Sequence, residues 1–164
     1  MTIVVKNKET LIFDEFIFKC SIGKKGFSKK KIEGDKKTPN GTFSLQCLYY
    51  RADRISKPKT DLLCLKIKKN MGWCDDVNNK KYYNKLIKTN RMIKHEKLFR
   101  KDYKYDLLIP LNYNTKKITI GRGSAIFIHL TKNYKPTAGC VALKKKDLLI
   151  LLKLINKKTK IRLG

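Results

Sequence analysis

A thiol and an imidazole eleven residues apart form the chain's clearest reactive pair. His129 falls near the end of the apolar stretch Ser124-Ala-Ile-Phe-Ile-His129-Leu130, and Cys140 follows a turn built on Pro136 and Gly139. A thiol is a weak nucleophile near neutral pH unless its pKa is lowered. A neighbouring imidazolium or a helix N-terminus lowers it effectively. The segment can supply both, because Cys140 stands just ahead of a predicted helix. The expectation is a Cys140 pKa well below the roughly 8.5 of a free thiol, and the fastest alkylation among the cysteines. Gly139 has no Cβ, so its backbone can turn its N–H, with that of Cys140, toward a developing oxyanion. A reactive pair requires the imidazole and the sulfur to meet at the rim of one cleft. On their own, the same two residues better suit a packed thiol and a satisfied strand-end histidine, because a single Cys/His pair is a weak signal.

The other candidates are fewer. Cys20, Cys47, Cys64 and Cys74 form no CxxC pair and sit in apolar or strand-like surroundings, as small buried hydrophobes do. With only His95 and His129 beside them, no metal-ligand spacing exists, and an odd cysteine count argues against a complete disulfide framework. His95, within Lys94-His-Glu-Lys97, reads as solvated. Trp73 with Asp75 and Asp76 suits either a cleft wall that holds a peptide amine or an aromatic lid over a small core.

Short strands separated by turns must position these groups. Thr2–Lys6, Thr10–Phe13 and Phe16–Ser21 are β-branched or aromatic stretches. Gly41–Tyr50 reads as one long strand with Phe43, Leu45, Cys47 and Tyr49 on a single face. Lys68–Lys104 shows no clear period and is expected to hold loops and a short helix or two. Strands resume at Tyr105–Ile109, Lys117–Ile120 and Ser124–Leu130. Leu148, Leu151, Leu152 and Ile155 recur at helical spacing, which predicts a helix over Lys145–Ile155 with Asp147 in its first turn. A last strand is predicted at Lys160–Leu163. The fold class is mainly β, mostly antiparallel, with one packed helix.

At 164 residues, with no repeat or linker, one domain over 1–164 is expected. No apolar run is long enough for a membrane-spanning helix, and the start lacks the pattern of a secretory leader. The chain carries 40 Lys and Arg against 13 Asp and Glu, a net charge of +27. Only six of those cations are Arg and the lysines run along the whole chain, which argues against nucleic-acid readout. Lys, Asn and Ile are together what an A+T-rich genome encodes by default. Compositional drift and an anionic partner both remain open, and neither bears on fold.

A second segment gives the pair a context. Gly34-Asp35-Lys-Lys-Thr38-Pro39-Asn-Gly41-Thr-Phe43 is a tight loop opening a strand. This GDxxTPxGxF loop, with an upstream histidine and a Thr137-Ala-Gly139-Cys140 turn, resembles the L,D-transpeptidase catalytic domain, the YkuD-like family, in its short stand-alone branch. Gly72-Trp-Cys-Asp-Asp76, Tyr105-Asp-Leu107, Asn112-Tyr-Asn114 and Gly121–Phe127 extend the resemblance along nearly the whole chain.

The resemblance implies a β-sandwich-like catalytic fold, Cys140 as nucleophile, His129 as its base and Gly139 as an oxyanion-hole glycine, with Thr137 at the motif's Ser or Thr position. Ala138 stands where many members have a second histidine, and Ala142 where they have Arg or Asn. The eleven-residue spacing is also shorter than in many members. Arg122, a rare Arg, is then either the candidate anchor for a substrate carboxylate or a surface or structural Arg held by Gly121 and Gly123, with Trp73 a candidate cleft residue.

The implied activity is a two-step acyl transfer between peptidoglycan stem peptides, donor and acceptor, through a Cys140 thioester. It needs no metal or organic cofactor, and a monomer suffices. The implied location is the cell envelope or periplasm. Water in place of the amine would make the protein a carboxypeptidase. The rival from another class is a non-catalytic basic module for an anionic polymer or nucleic acid.

Overall fold

Three segments rich in Val, Ile, Phe and Leu form a meander of β1 (Thr2–Val5), β2 (Thr10–Phe13) and β3 (Phe16–Ser21). Burial alternates along β1 and β2, with Ile3, Val5, Leu11 and Phe13 inward. The two-residue turn between β2 and β3 places Asp14 at φ 49°, in the left-handed region that tight hairpins favour. The computed structural model describes residues 1–89 and 92–164.

The chain continues through β4 (Phe27–Ser28), β5 (Thr38–Pro39), β6 (Gly41–Ser44), β7 (Leu48–Tyr50) and β8 (Cys64–Lys66). Next come β9 (Met71–Cys74), β10 (Leu86–Lys88), β11 (His95–Lys97), β12 (Leu107–Pro110), β13 (Phe127–Leu130) and β14 (Val141–Leu143). Helix α1 (Lys145–Leu154) and strand β15 (Lys160–Leu163) close the chain. The protein is therefore mainly β with one packed helix. Leu148, Leu151, Leu152 and Ile155 are buried, as their spacing predicts. Most pairings are antiparallel, while β1–β15, β7–β8, β13–β14 and β4–β5 run parallel.

Ten strands form one sheet in the order β6-β15-β1-β2-β3-β14-β13-β12-β7-β8. In a flat sheet β6 and β7 would lie about 38 Å apart, at roughly 4.8 Å per strand spacing. The chain passes from one to the other between Ser44 and Leu48, at most about 14 Å when fully extended. The sheet must curl. An isolated bridge between Leu45 and Leu111 and the Ser44 amide on Asn112 Oδ1 at 2.7 Å join its two sides. The predicted single strand Gly41–Tyr50 is thus two strands serving opposite sides of the sheet.

Two further expectations are corrected. The Lys68–Lys104 segment carries a three-stranded antiparallel sheet, β10-β9-β11, and no helix among its described residues. Its strands are three or four residues long, too short for an alternation to register in the sequence. Lys117–Ile120 is a turn rather than a strand, because Asn114 captures it with hydrogen bonds to the Thr119 carbonyl at 2.9 Å and amide at 2.8 Å.

The centre of the large sheet is covered on both faces, so β12, β13 and β14 are buried throughout. Leu107, Ile109, Ile128, Leu130, Val141 and Leu143 enter the main core. Leu108, Phe127 and Cys140 belong to a second cluster with Trp73, Tyr105 and Leu98. The site lies on that second face.

Candidate active site

Strand register selects the reactive residues. In the parallel pair β13–β14, Ile128 stands beside Val141 and His129 beside Ala142. Because alternate residues share a face, Phe127 and His129 point the same way as Cys140 and Ala142. Cys140, His129, Gly139 and Thr137 all line one cavity of about 670 Å³.

The thiol proton does not point at the imidazole. Cys140 Sγ donates to the Ala125 carbonyl at 3.2 Å and accepts the Phe127 N–H at 3.4 Å. His129 Nδ1 donates to the Leu130 carbonyl at 2.9 Å, which leaves Nε2 as the basic nitrogen. Burial, reinforced by the Glu96 carboxylate, pushes the Cys140 thiol up to about 12. Burial also pulls the His129 imidazole down to about 4, against the opposing pull of the Leu130 carbonyl. The resting pair is a neutral thiol and a neutral imidazole. The expected low thiol pKa is therefore corrected. The helix device is absent as well, since β14 separates Cys140 from the start of α1 at Lys145.

The GD…TP loop holds the turn that carries Cys140. Asp35 accepts Lys31 Nζ at 2.7 Å and the amides of Ile32 and Lys37, both at 2.9 Å. Burial works against that carboxylate, but these donors outweigh it and keep its pKa below the usual value. Thr38 Oγ1 donates to the Gly139 carbonyl and accepts the Gly23 amide, both at 2.9 Å. Gly139 has φ 148°, and a Cβ there would lie 2.8 Å from the Lys37 carbonyl oxygen, so only glycine fits. Its N–H donates to Thr137 Oγ1 at 3.1 Å, and Thr137 in turn donates to the Cys140 carbonyl at 2.6 Å. In this state the candidate oxyanion donor is held by the Thr137 hydroxyl.

The cavity wall includes residues that the sequence reading passed over. Tyr105 donates to Glu96, and its ring meets His129 edge-on at 5.2 Å between centroids. Burial above all pushes the Glu96 carboxyl up, with the Tyr105 hydroxyl opposing. Lys31 is 5% exposed, and its stem fills the space a Gly123 Cβ would take. Glu33 accepts Ser124 Oγ at 2.7 Å and Tyr83 at 2.5 Å. Asp75 and Asp76 also line the cavity.

Trp73 and Arg122 lie elsewhere. Trp73 is buried behind the wall, edge-on to Phe127 at 5.2 Å, with Nε1 donating to Asn84 Oδ1 at 2.9 Å. Asn84 is a buried hub that sequence alone did not mark. The same oxygen accepts the Ala125 amide at 3.0 Å, and Asn84 Nδ2 reaches the Tyr113 and Asn114 carbonyls. Arg122 is exposed and lies off the cavity wall, while its carbonyl accepts the Tyr113 hydroxyl. The guanidinium on the wall is that of Arg100, bound to both oxygens of Asp102 at 2.9 and 2.7 Å. His95 is half-buried in β11 with Nδ1 on the Ile93 carbonyl at 2.6 Å, not solvated as expected.

A family model described as the L,D-transpeptidase catalytic domain, YkuD, matches residues 1–163. No curated protein and no solved structure matches the chain.

Proposed function

The chain belongs to the L,D-transpeptidase catalytic-domain family, whose members act on peptidoglycan stem peptides, and on that premise we propose that it transfers an acyl group through a thioester on Cys140. The observation that carries this reading is the register that puts Cys140 and His129 on one face of β13–β14 and in one cavity, with Nε2 of His129 left basic.

The resting thiol is neutral, so the proton must move as the bond forms. Cys140 Sγ attacks the donor carbonyl while its proton passes to His129 Nε2, giving a tetrahedral oxyanion and an imidazolium. The Gly139 amide serves that oxyanion once the Thr137 hydroxyl yields it. The imidazolium then protonates the departing amine nitrogen as the C–N bond breaks, and the acyl group stays on sulfur. An acceptor amine attacks the thioester and gives its proton to His129. The C–S bond breaks, a new amide forms, and the sulfur recovers its proton.

The test uses a synthetic stem tetrapeptide and intact-protein mass spectrometry. A donor-minus-leaving-residue adduct on the wild type, absent from Cys140→Ala and slow in His129→Ala, is the expected result. Adding an amine acceptor should convert the adduct to a cross-linked product, whereas release by water alone would make the protein a carboxypeptidase. If Cys140→Ala still forms the adduct, the reading fails.

A further inference from the structure

A second cavity, of about 340 Å³, lies on the other side of Pro136, which walls both cavities. We propose that it is an oxyanion site, holding the phosphate or carboxylate of an acidic ligand on the Ser21 hydroxyl and the ammonium groups of Lys8, Lys19 and Lys24. The proposal goes beyond the acyl-transfer reading and does not depend on it.

Three observations converge. The lysines come from separate segments: Lys8 from the β1–β2 turn, Lys19 from β3 and Lys24 from the turn that follows β3. All three are exposed, with their ammonium groups free to turn toward a ligand. Glu9 is the one acid on the wall, so the site is net cationic. Ser21 also lines the cavity at 4% exposure, and its buried Oγ has no hydrogen-bond partner among the described residues. A buried hydroxyl without a partner is costly, and an oxyanion supplies the missing acceptor.

The third observation is the wall itself. Asn133 and Tyr134 take φ 53° and 54°, a left-handed pair that a tyrosine adopts only under constraint. The Tyr134 ring lines the cavity and takes the Lys19 ammonium at 4.9 Å from its centroid, with Lys144 Nζ, off the cavity wall, at 5.4 Å.

The site is joined to the catalytic turn. The Thr137 amide donates to the Ile22 carbonyl at 2.9 Å, and the Lys24 amide donates to the Thr137 carbonyl at 3.0 Å. An anion here sits one turn away from the residue whose hydroxyl holds the Gly139 amide.

Inorganic phosphate is the first probe, titrated at constant ionic strength into the ¹⁵N-labelled 164-residue chain. The amides of Ser21, Gly23, Lys24 and Tyr134 should shift together and saturate. Lys24→Glu and Ser21→Ala should each weaken binding at least fivefold. Lys153→Glu makes the same charge change on the last turn of α1, and it should leave binding within twofold. An acetate titration forms the second arm: saturation by either anion supports the site, and the ratio of affinities names the ligand's acidic group. Lys24 is exposed, so that variant decides the matter if Ser21→Ala does not fold. Unsaturable shifts spread over many lysines, or equal loss in Lys153→Glu and Lys24→Glu, would overturn the proposal.

Discussion

The Ala125 carbonyl accepts a hydrogen bond from the Cys140 thiol at 3.2 Å, so the S–H bond is aimed at the backbone. Ala125 is itself held at φ 52° by the hydrogen bond from its amide to Asn84. The Phe127 amide donates to the same sulfur. The site therefore holds Cys140 as a fixed, neutral thiol, and under the proposed mechanism the S–H must turn from that carbonyl toward His129 before sulfur gives up its proton.

Alkylation should expose this storage. With its pKa near 12, Cys140 should react with iodoacetamide at pH 7 no faster than the half-buried Cys47 and Cys64. Peptide mapping of the folded protein gives the order. Preferential labelling of Cys140 at pH 7 would mean that the thiolate forms without substrate.

Acid should unfold the protein partly through His129. Its pKa in the fold, about 4, lies below the ordinary 6.5, so the neutral ring is favoured by folding. The stability it contributes is fully present above pH 6.5 and is lost as pH falls through 4. Urea midpoints measured between pH 7 and pH 4 should fall less steeply for His129→Gln than for the wild type. Parallel slopes would place the ring in water.

Thr38 should matter for both stability and rate. Its hydroxyl bridges the Gly23 amide and the Gly139 carbonyl, and Thr38→Val leaves both buried groups unpaired, costing about 1–3 kcal/mol. Adduct formation on Cys140 should slow at least tenfold, and Thr38→Ser should restore most of both. Gly139→Ala should be worse, because its Cβ meets the Lys37 carbonyl oxygen at 2.8 Å.

Trp73 and Arg122 separate packing from substrate contact. Trp73→Phe removes the Nε1 hydrogen bond to Asn84 and should lower stability by about 1–2 kcal/mol with donor KM unchanged. Arg122→Ala, at an exposed position away from the cavity, should leave both within error. A tenfold rise in KM for Arg122→Ala would restore it as the carboxylate anchor.

What the sequence made legible was local or carried by motif. The spacing of Leu148, Leu151, Leu152 and Ile155 gave α1 to within one residue of its end, and Lys160–Leu163 matched β15. The two motifs brought Cys140, His129 and Gly139 to one cavity. What stayed hidden depends on approach in space. Glu96 reaches Tyr105 only because β11 folds back on β9, and Lys31 is indistinguishable by type among so many lysines. The Cys140 pKa turned on burial, which the neighbouring residues in sequence do not report.

The place of β15 has a kinetic consequence. It lies between β1 and β6, with Thr2 beside Lys160 and Leu163 beside Gly41, so β6 has no neighbour in the large sheet until this segment arrives. During synthesis β6 cannot take its place in that sheet until residue 163 has emerged from the ribosome. Such high contact order predicts slow folding, with an early intermediate whose β1 edge is open to wrong partners. The seam where β6 joins β15 is then among the last parts of the chain to become ordered.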